Sequence, residues 1–177
     1  MFFSFSRLLI ISSSFWLSFF QSQILLRERG QTKMTISKPV TPAQLRPFFD
    51  AHIKDCTTAE LKYNFPAVVL LTFAAYCSKL NLIPPSNNLF SFRRNNSCSI
   101  PDYYNCTSDS IYQFAYYIST VVDLSGCIEL IDICRTIIDS PFSHCFIDKP
   151  AEAQSFCEKA LPLFFTLAFD IENIKGS

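Results

Sequence analysis

The chain has 177 residues, 49% of them hydrophobic and only 17% charged, with 3 glycines and 19 phenylalanines. That suits one compact helical domain, or roughly three to four helical repeats of about 40 residues, and disfavours a small loop-rich fold. Net charge is zero and no basic run exceeds Arg93-Arg94, so the concentrated basic face that nucleic acid demands is missing.

Residues 1–33 open the chain as a non-globular, targeting-like segment. Arg7 precedes an apolar stretch from Leu8 to Phe20 that Ser12, Ser13, Ser14 and Ser18 dilute, with no small residues where signal cleavage needs them. The stretch is too short for a firm membrane span, and a type II anchor over 8–26 is a thin alternative. Met34 follows a charged Arg27-Glu28-Arg29 stretch, so residues 1–33 are either a true targeting segment or an extension upstream of a start at Met34.

Residues 34–83 are expected to be helical. Thr41-Pro42 caps and begins a helix through Leu45, Phe48, Phe49 and Ile53, which Pro47 should shorten or kink. Thr57-Thr58-Ala59-Glu60 has the form of a capping box and is expected to open a second helix. After Pro66, Ala67 to Cys77 is apolar nearly all round, too short to cross a bilayer and therefore a fully buried helix. Pro84-Pro85-Ser86-Asn87-Asn88 stops it, and 84–108 is expected to be an irregular linker.

From Ser108 or Asp109 a helix carries Ile111, Phe114, Ala115, Ile118, Val121 and Val122 on one broad face, and Ser125-Gly126 breaks it. A further helix places Cys127, Leu130, Ile131, Cys134, Ile137 and Ile138 on one stripe, ending at Pro141. Asp148-Lys149-Pro150 starts the last, which Pro162 should bend. Strand patterning is almost absent, and the fold class is all-α.

Two stretches in 109–177 carry a family resemblance, and a third precedes them. Asp109 to Asp139 is a helix, a Ser125-Gly126 break and a helix ending Cys134-Arg135-Thr136-Ile137-Ile138. Leu161-Pro162-Leu163 runs on through Leu167-Ala168, Asp170, Asn173 and Lys175. Weaker is Tyr63-Asn64-Phe65-Pro66-Ala67-Val68, followed by Phe92-Arg93-Arg94. These resemble the HEAT repeats of protein phosphatase scaffold and regulatory subunits, most closely the regulatory subunits of protein phosphatase 4. The likeness covers about 100 residues, and the last repeat is incomplete. It implies a short α-solenoid of HEAT-like antiparallel helix pairs in 34–83 and 109–177. It also implies a non-catalytic scaffold whose partner is a serine/threonine phosphatase catalytic subunit, alongside other proteins. Asp170 with Lys175 or Arg94 would then form ladders between successive repeats, and reduced cysteines in cytoplasm or nucleus would follow. An apolar stripe left open at the incomplete end should promote self-association.

The eight cysteines, Cys56, Cys77, Cys98, Cys106, Cys127, Cys134, Cys145 and Cys157, keep a different class open: a secreted, disulfide-bonded helical domain, with residues 1–23 as signal peptide. Most of them sit where a helix wants a small apolar residue, so unbridged core filler is the preferred account. With no Cys-x-x-Cys pair and only His52 and His144, a zinc site is not expected. Nor are other cofactors: no glycine-rich phosphate loop, nucleophile elbow or zinc-protease helix occurs. Cys145 beside His144 is a poor candidate for catalysis, because neighbours on a loop do not generally face each other. His52 is expected to be partly exposed and structural. No enzyme activity is expected.

Overall fold

The computed structural model describes residues 40–93 and 100–175, with backbone alone over 171–175. Among the described residues there are five α-helices and no strand: α1 (Pro42–Tyr63), α2 (Ala67–Ser78), α3 (Thr107–Val121), α4 (Leu130–Asp139) and α5 (Pro150–Lys175). Short 3-10 turns at Pro85–Asn87 and Ser143–Cys145 punctuate the links. Residues 40–175 belong to one compact unit.

The first helix is a single piece where the sequence suggested two. Thr41 caps it by a full capping box: the Gln44 N–H donates to Thr41 Oγ1 at 3.4 Å, and the Thr41 N–H donates to Gln44 Oε1 at 3.1 Å. Thr57 and Thr58 open nothing. Their hydroxyls donate back to the carbonyls of Ile53 and Lys54, both at 2.9 Å, the bonding a mid-helix threonine uses when no cap is needed. Pro47 is absorbed within the helix; the carbonyl it leaves without an intrahelical donor is that of exposed Ala43. Arg46 Nε spans the site, donating to both carboxylate oxygens of Asp50 at 2.8 and 2.9 Å. Asn64, in the left-handed region at φ 54°, ends the helix and returns its N–H to the Glu60 carbonyl at 2.8 Å.

Helix α2 explains the architecture. Nine of its twelve residues are buried, so it has no solvent face to offer, and it packs chiefly against α1 and α5 and more lightly against α3 and α4. The remaining contacts are α1 on α3, α1 on α5 and α4 on α5. In a stacked repeat array each pair touches only its sequence neighbours. Here the first helix meets the last, while α3 and α4, which the HEAT pattern pairs, make at most a marginal contact. Nor does a corner open at Asp170: α5 is continuous from Pro150 to Lys175. The all-α class holds; the packing order is that of helices gathered around a central apolar one.

The stretch expected to be a linker is core. Leu89 and Phe90 have no exposed surface, and Phe92 and Ile100 have 3% and 2%. Phe114 of α3 is the hub they reach: Phe90 stacks on it at 4.0 Å between centroids and 10° between planes. Phe65, Phe73, Phe92 and Phe146 surround it at 5.1–6.4 Å. Burying each such ring stabilises the fold by about 1.5–3 kcal/mol relative to exposure, so the irregular segment contributes as much as a helix face.

Candidate functional site

The loop that delivers Phe90 also shapes a surface groove. Ser86, Asn87 and Ser91 all hold positive φ, between 51° and 58°, a conformation that costs non-glycine residues about 1 kcal/mol or more and needs support. Two asparagines supply it. Asn87 Nδ2 donates to the carbonyls of Tyr104 and Asn105, both at 3.0 Å. Buried Asn88 donates to the carbonyls of Phe92 and Asp102 at 3.1 and 3.3 Å and accepts from the Phe92 N–H at 3.1 Å. The Tyr104 N–H closes the stitch on the Ser86 carbonyl at 2.9 Å. Residues 101–105 are thereby set beside the first half of α3.

The result is a groove of about 520 Å³ lined by Tyr63 from the end of α1, Pro101 and Tyr104 from the stitched loop, and Asp109, Tyr112, Gln113 and Tyr116 from α3. The last four follow one another at helical spacing, so they form a single stripe on one face. Tyr63 and Tyr116 meet at the rim with centroids 5.9 Å apart and planes inclined by 60°, and Lys62 Nζ stands 5.1 Å over the Tyr63 ring. Tyr116 is half exposed. Tyr104 is the opposite: 7% exposed, with its hydroxyl shielded and without a hydrogen-bond partner among the described residues. Burial, reinforced by the Asp102 charge, raises its pKa well above the ordinary phenol value. A buried phenol left unpaired costs about 1–3 kcal/mol.

The other candidates are dispersed. Arg94 lies outside the described residues, and only the backbone of Lys175 is described; Asp170 is exposed on α5. No inter-repeat ladder is formed among the described residues. His52 is not partly exposed but 3% exposed, its ring 4.6 Å from Phe48. Neither ring nitrogen makes a hydrogen bond of ordinary geometry among the described residues, although the Leu82 backbone stands near enough to favour the protonated ring. Desolvation lowers its pKa, against the opposing pull of Asp55 and that backbone group.

Cys56, Cys77, Cys106, Cys127, Cys134 and Cys157 are free thiols, whereas Cys145 is disulfide-bonded, so the expectation of uniformly unbridged cysteines needs correcting. Its sulfur stands 3.8 Å from His144 Nε2, closer than sequence adjacency suggested, but a sulfur already in a disulfide is no thiol nucleophile. Cys127 lies ahead of α4 rather than on its stripe, 3.3 Å from Thr136 Oγ1. Burial pushes the Cys56 and Cys77 thiols up, and a hydrogen bond with Cys134 together with burial does the same to Cys157. Such thiols stay protonated and unreactive at neutral pH. Among the described residues no cluster of His, Cys, Asp or Glu is placed to hold a metal ion, and no helix is long and apolar enough to cross a membrane.

What fold and site define is therefore an all-α protein with a tyrosine-lined surface groove. Comparison with protein-family models, with curated proteins and with solved structures finds no match for this chain.

Proposed function

We propose that this chain is a non-catalytic, protein-binding helical module. The observation that carries the proposal is the groove itself: tyrosine side chains, with Tyr116 half in water, gathered around a concavity. Tyrosine supplies large contact area with a polar tip at little entropic cost, and it is among the residues that dominate protein interfaces. The HEAT resemblance contributes a partner class: a serine/threonine phosphatase catalytic subunit of the phosphatase 4 or 2A type, met in cytoplasm or nucleus. The stacked HEAT array gains no support from the packing of α1 on α5. Calorimetric titration of the purified chain with such a catalytic subunit tests the assignment. Saturable binding weakened by Tyr116→Ala is expected, and no heat at concentrations of about 100 μM, where Kd values tighter than this would register, rejects that partner.

The bonded Cys145 favours a second reading, a secreted helical domain from an oxidising compartment. Six free thiols among the described residues speak against a fully cross-linked framework. Thiol titration of denatured, unreduced protein from its native source separates the two: eight reactive groups favour the intracellular module and none the secreted one. A count below eight but well above none would match the bonded Cys145 beside the free thiols of the described residues.

A further inference from the structure

Three properties of the tyrosine groove narrow what it can hold. Its walls are mainly hydroxyl-bearing rings and one amide, Tyr63, Tyr104, Tyr112, Tyr116 and Gln113, with Pro101 the one aliphatic residue of the lining. Hydroxyl and amide donors are wasted on an α-helix, whose carbonyls are already bonded internally, and helix-binding grooves are hydrophobic. They suit a backbone that keeps its carbonyls free, and polyproline II is the conformation that does so without internal hydrogen bonds. Strand addition is the other mode for an extended peptide, but it needs a sheet edge, and the described residues contain no strand.

Length agrees. From Asp109 to Tyr116 the α3 stripe rises about 10 Å, close to the rise of about 9 Å in one three-residue polyproline II turn. A Pro-x-x-Pro spacing would therefore set equivalent faces at the two ends of the stripe. Charge agrees at one end: Lys62 already stands over the Tyr63 ring at the rim, while the ionisable groups of the lining are Asp109 and tyrosines, so the Asp109 end is the one that attracts a further cation.

We propose that this groove binds an extended, proline-rich peptide segment with a basic residue near the Asp109 end. The proposal rests on the protein-binding function above and names its ligand class.

The test uses the full chain and three short synthetic peptides, compared by isothermal titration calorimetry. One holds consecutive Pro-x-x-Pro turns with an arginine at one end; a set with the arginine at the other end covers both orientations. The second replaces the prolines by alanine, and the third replaces the arginine by glutamate. Saturable binding of the first, at least about tenfold weaker for Tyr116→Ala, is expected of an interface anchor. Asp109→Asn should erase the preference for arginine over glutamate. Tyr116 is half exposed, so Tyr116→Ala should keep the circular dichroism spectrum, and a retained spectrum excludes misfolding as the cause of lost binding.

Equal binding of the alanine peptide, or binding indifferent to both substitutions, overturns the proposal. So does tetramethylammonium binding that depends on Tyr116 in a chain that ignores all peptides, which would make the groove a cation cage. If the peptides fail while the phosphatase catalytic subunit binds, the ligand class is wrong and the protein-binding function stands. If both fail, the peptide class and the phosphatase partner are both rejected.

Discussion

Phe90 distinguishes a core segment from a linker, because it sits in an irregular stretch yet stacks on Phe114 with no exposed surface. Replacing it by alanine removes a buried ring from the aromatic hub, and such truncations cost about 3–5 kcal/mol. A residue in a solvated linker would move stability by no more than about 0.5 kcal/mol. With a urea slope of about 2 kcal/mol/M, the core account predicts a midpoint lower by roughly 1.5–2.5 M, the linker account a change below about 0.3 M. Whole domains are stable by only about 5–15 kcal/mol, so Phe90→Leu, which retains part of the volume, provides a variant that stays folded. The double variant with Phe114→Ala should be more stable than the sum of the single costs by about 0.5–1.5 kcal/mol, the coupling of an aromatic pair. Reversible urea unfolding followed by circular dichroism measures all three. A Phe90→Ala midpoint within about 0.3 M of the parent, or strictly additive single costs, would refute the placement of this loop in the core.

Thr41→Ala should cost about 1 kcal/mol in the same assay through loss of the cap on α1, whereas Thr57→Ala, a mid-helix site whose hydroxyl only bonds back to the preceding turn, should change stability by less than about 0.5 kcal/mol. If the two effects were reversed, the helix would begin at Thr57 after all. His52 is held neutral by burial, with its folded-state pKa below the ordinary value near 6.5. The unfolded chain therefore takes up the proton first, so the stabilising contribution is complete above about pH 6.5 and is lost as pH falls towards the lowered value. Chemical denaturation between about pH 5 and 7.5 should show that slope in the parent and a shallower one in His52→Leu; parallel curves would count against it. Tyr104→Phe deletes an unpaired buried hydroxyl and should raise the midpoint by an amount equivalent to about 1 kcal/mol, within the cost of an unmet donor. A loss of stability would mean the phenol has an acceptor in solution.

Much of this molecule was legible before any coordinates. Helix starts at Thr41-Pro42 and Pro150 and the unbroken apolar run of α2 are local matters, set by capping chemistry, proline sterics and the absence of any polar stripe, whereas α2 ends at Ser78, with Lys79 left-handed, well before the Pro84-Pro85 stop expected for it. An all-round apolar helix must be surrounded, which already implied a centre. The false capping box at Thr57 shows the limit of local signals: Thr-x-x-Glu fits a helix start, but the chain before it was already helical and the hydroxyls turned back to the preceding turn.

Which helices surround α2 was decided only in three dimensions. Tandem amphipathic helices are equally compatible with stacking on sequence neighbours or closing first upon last, since either arrangement buries the same stripes. The same holds for Phe90 and Phe92, whose irregular surroundings lack the periodicity that marks a buried face in sequence. The groove is the sharpest case. Its α3 half is a visible stripe, Asp109, Tyr112, Gln113 and Tyr116, but Tyr63, Pro101 and Tyr104 join it only because Asn87 and Asn88 pin one loop against another through backbone carbonyls far along the chain. Hydrogen bonds of that kind carry no spacing rule, so only the folded chain displays them.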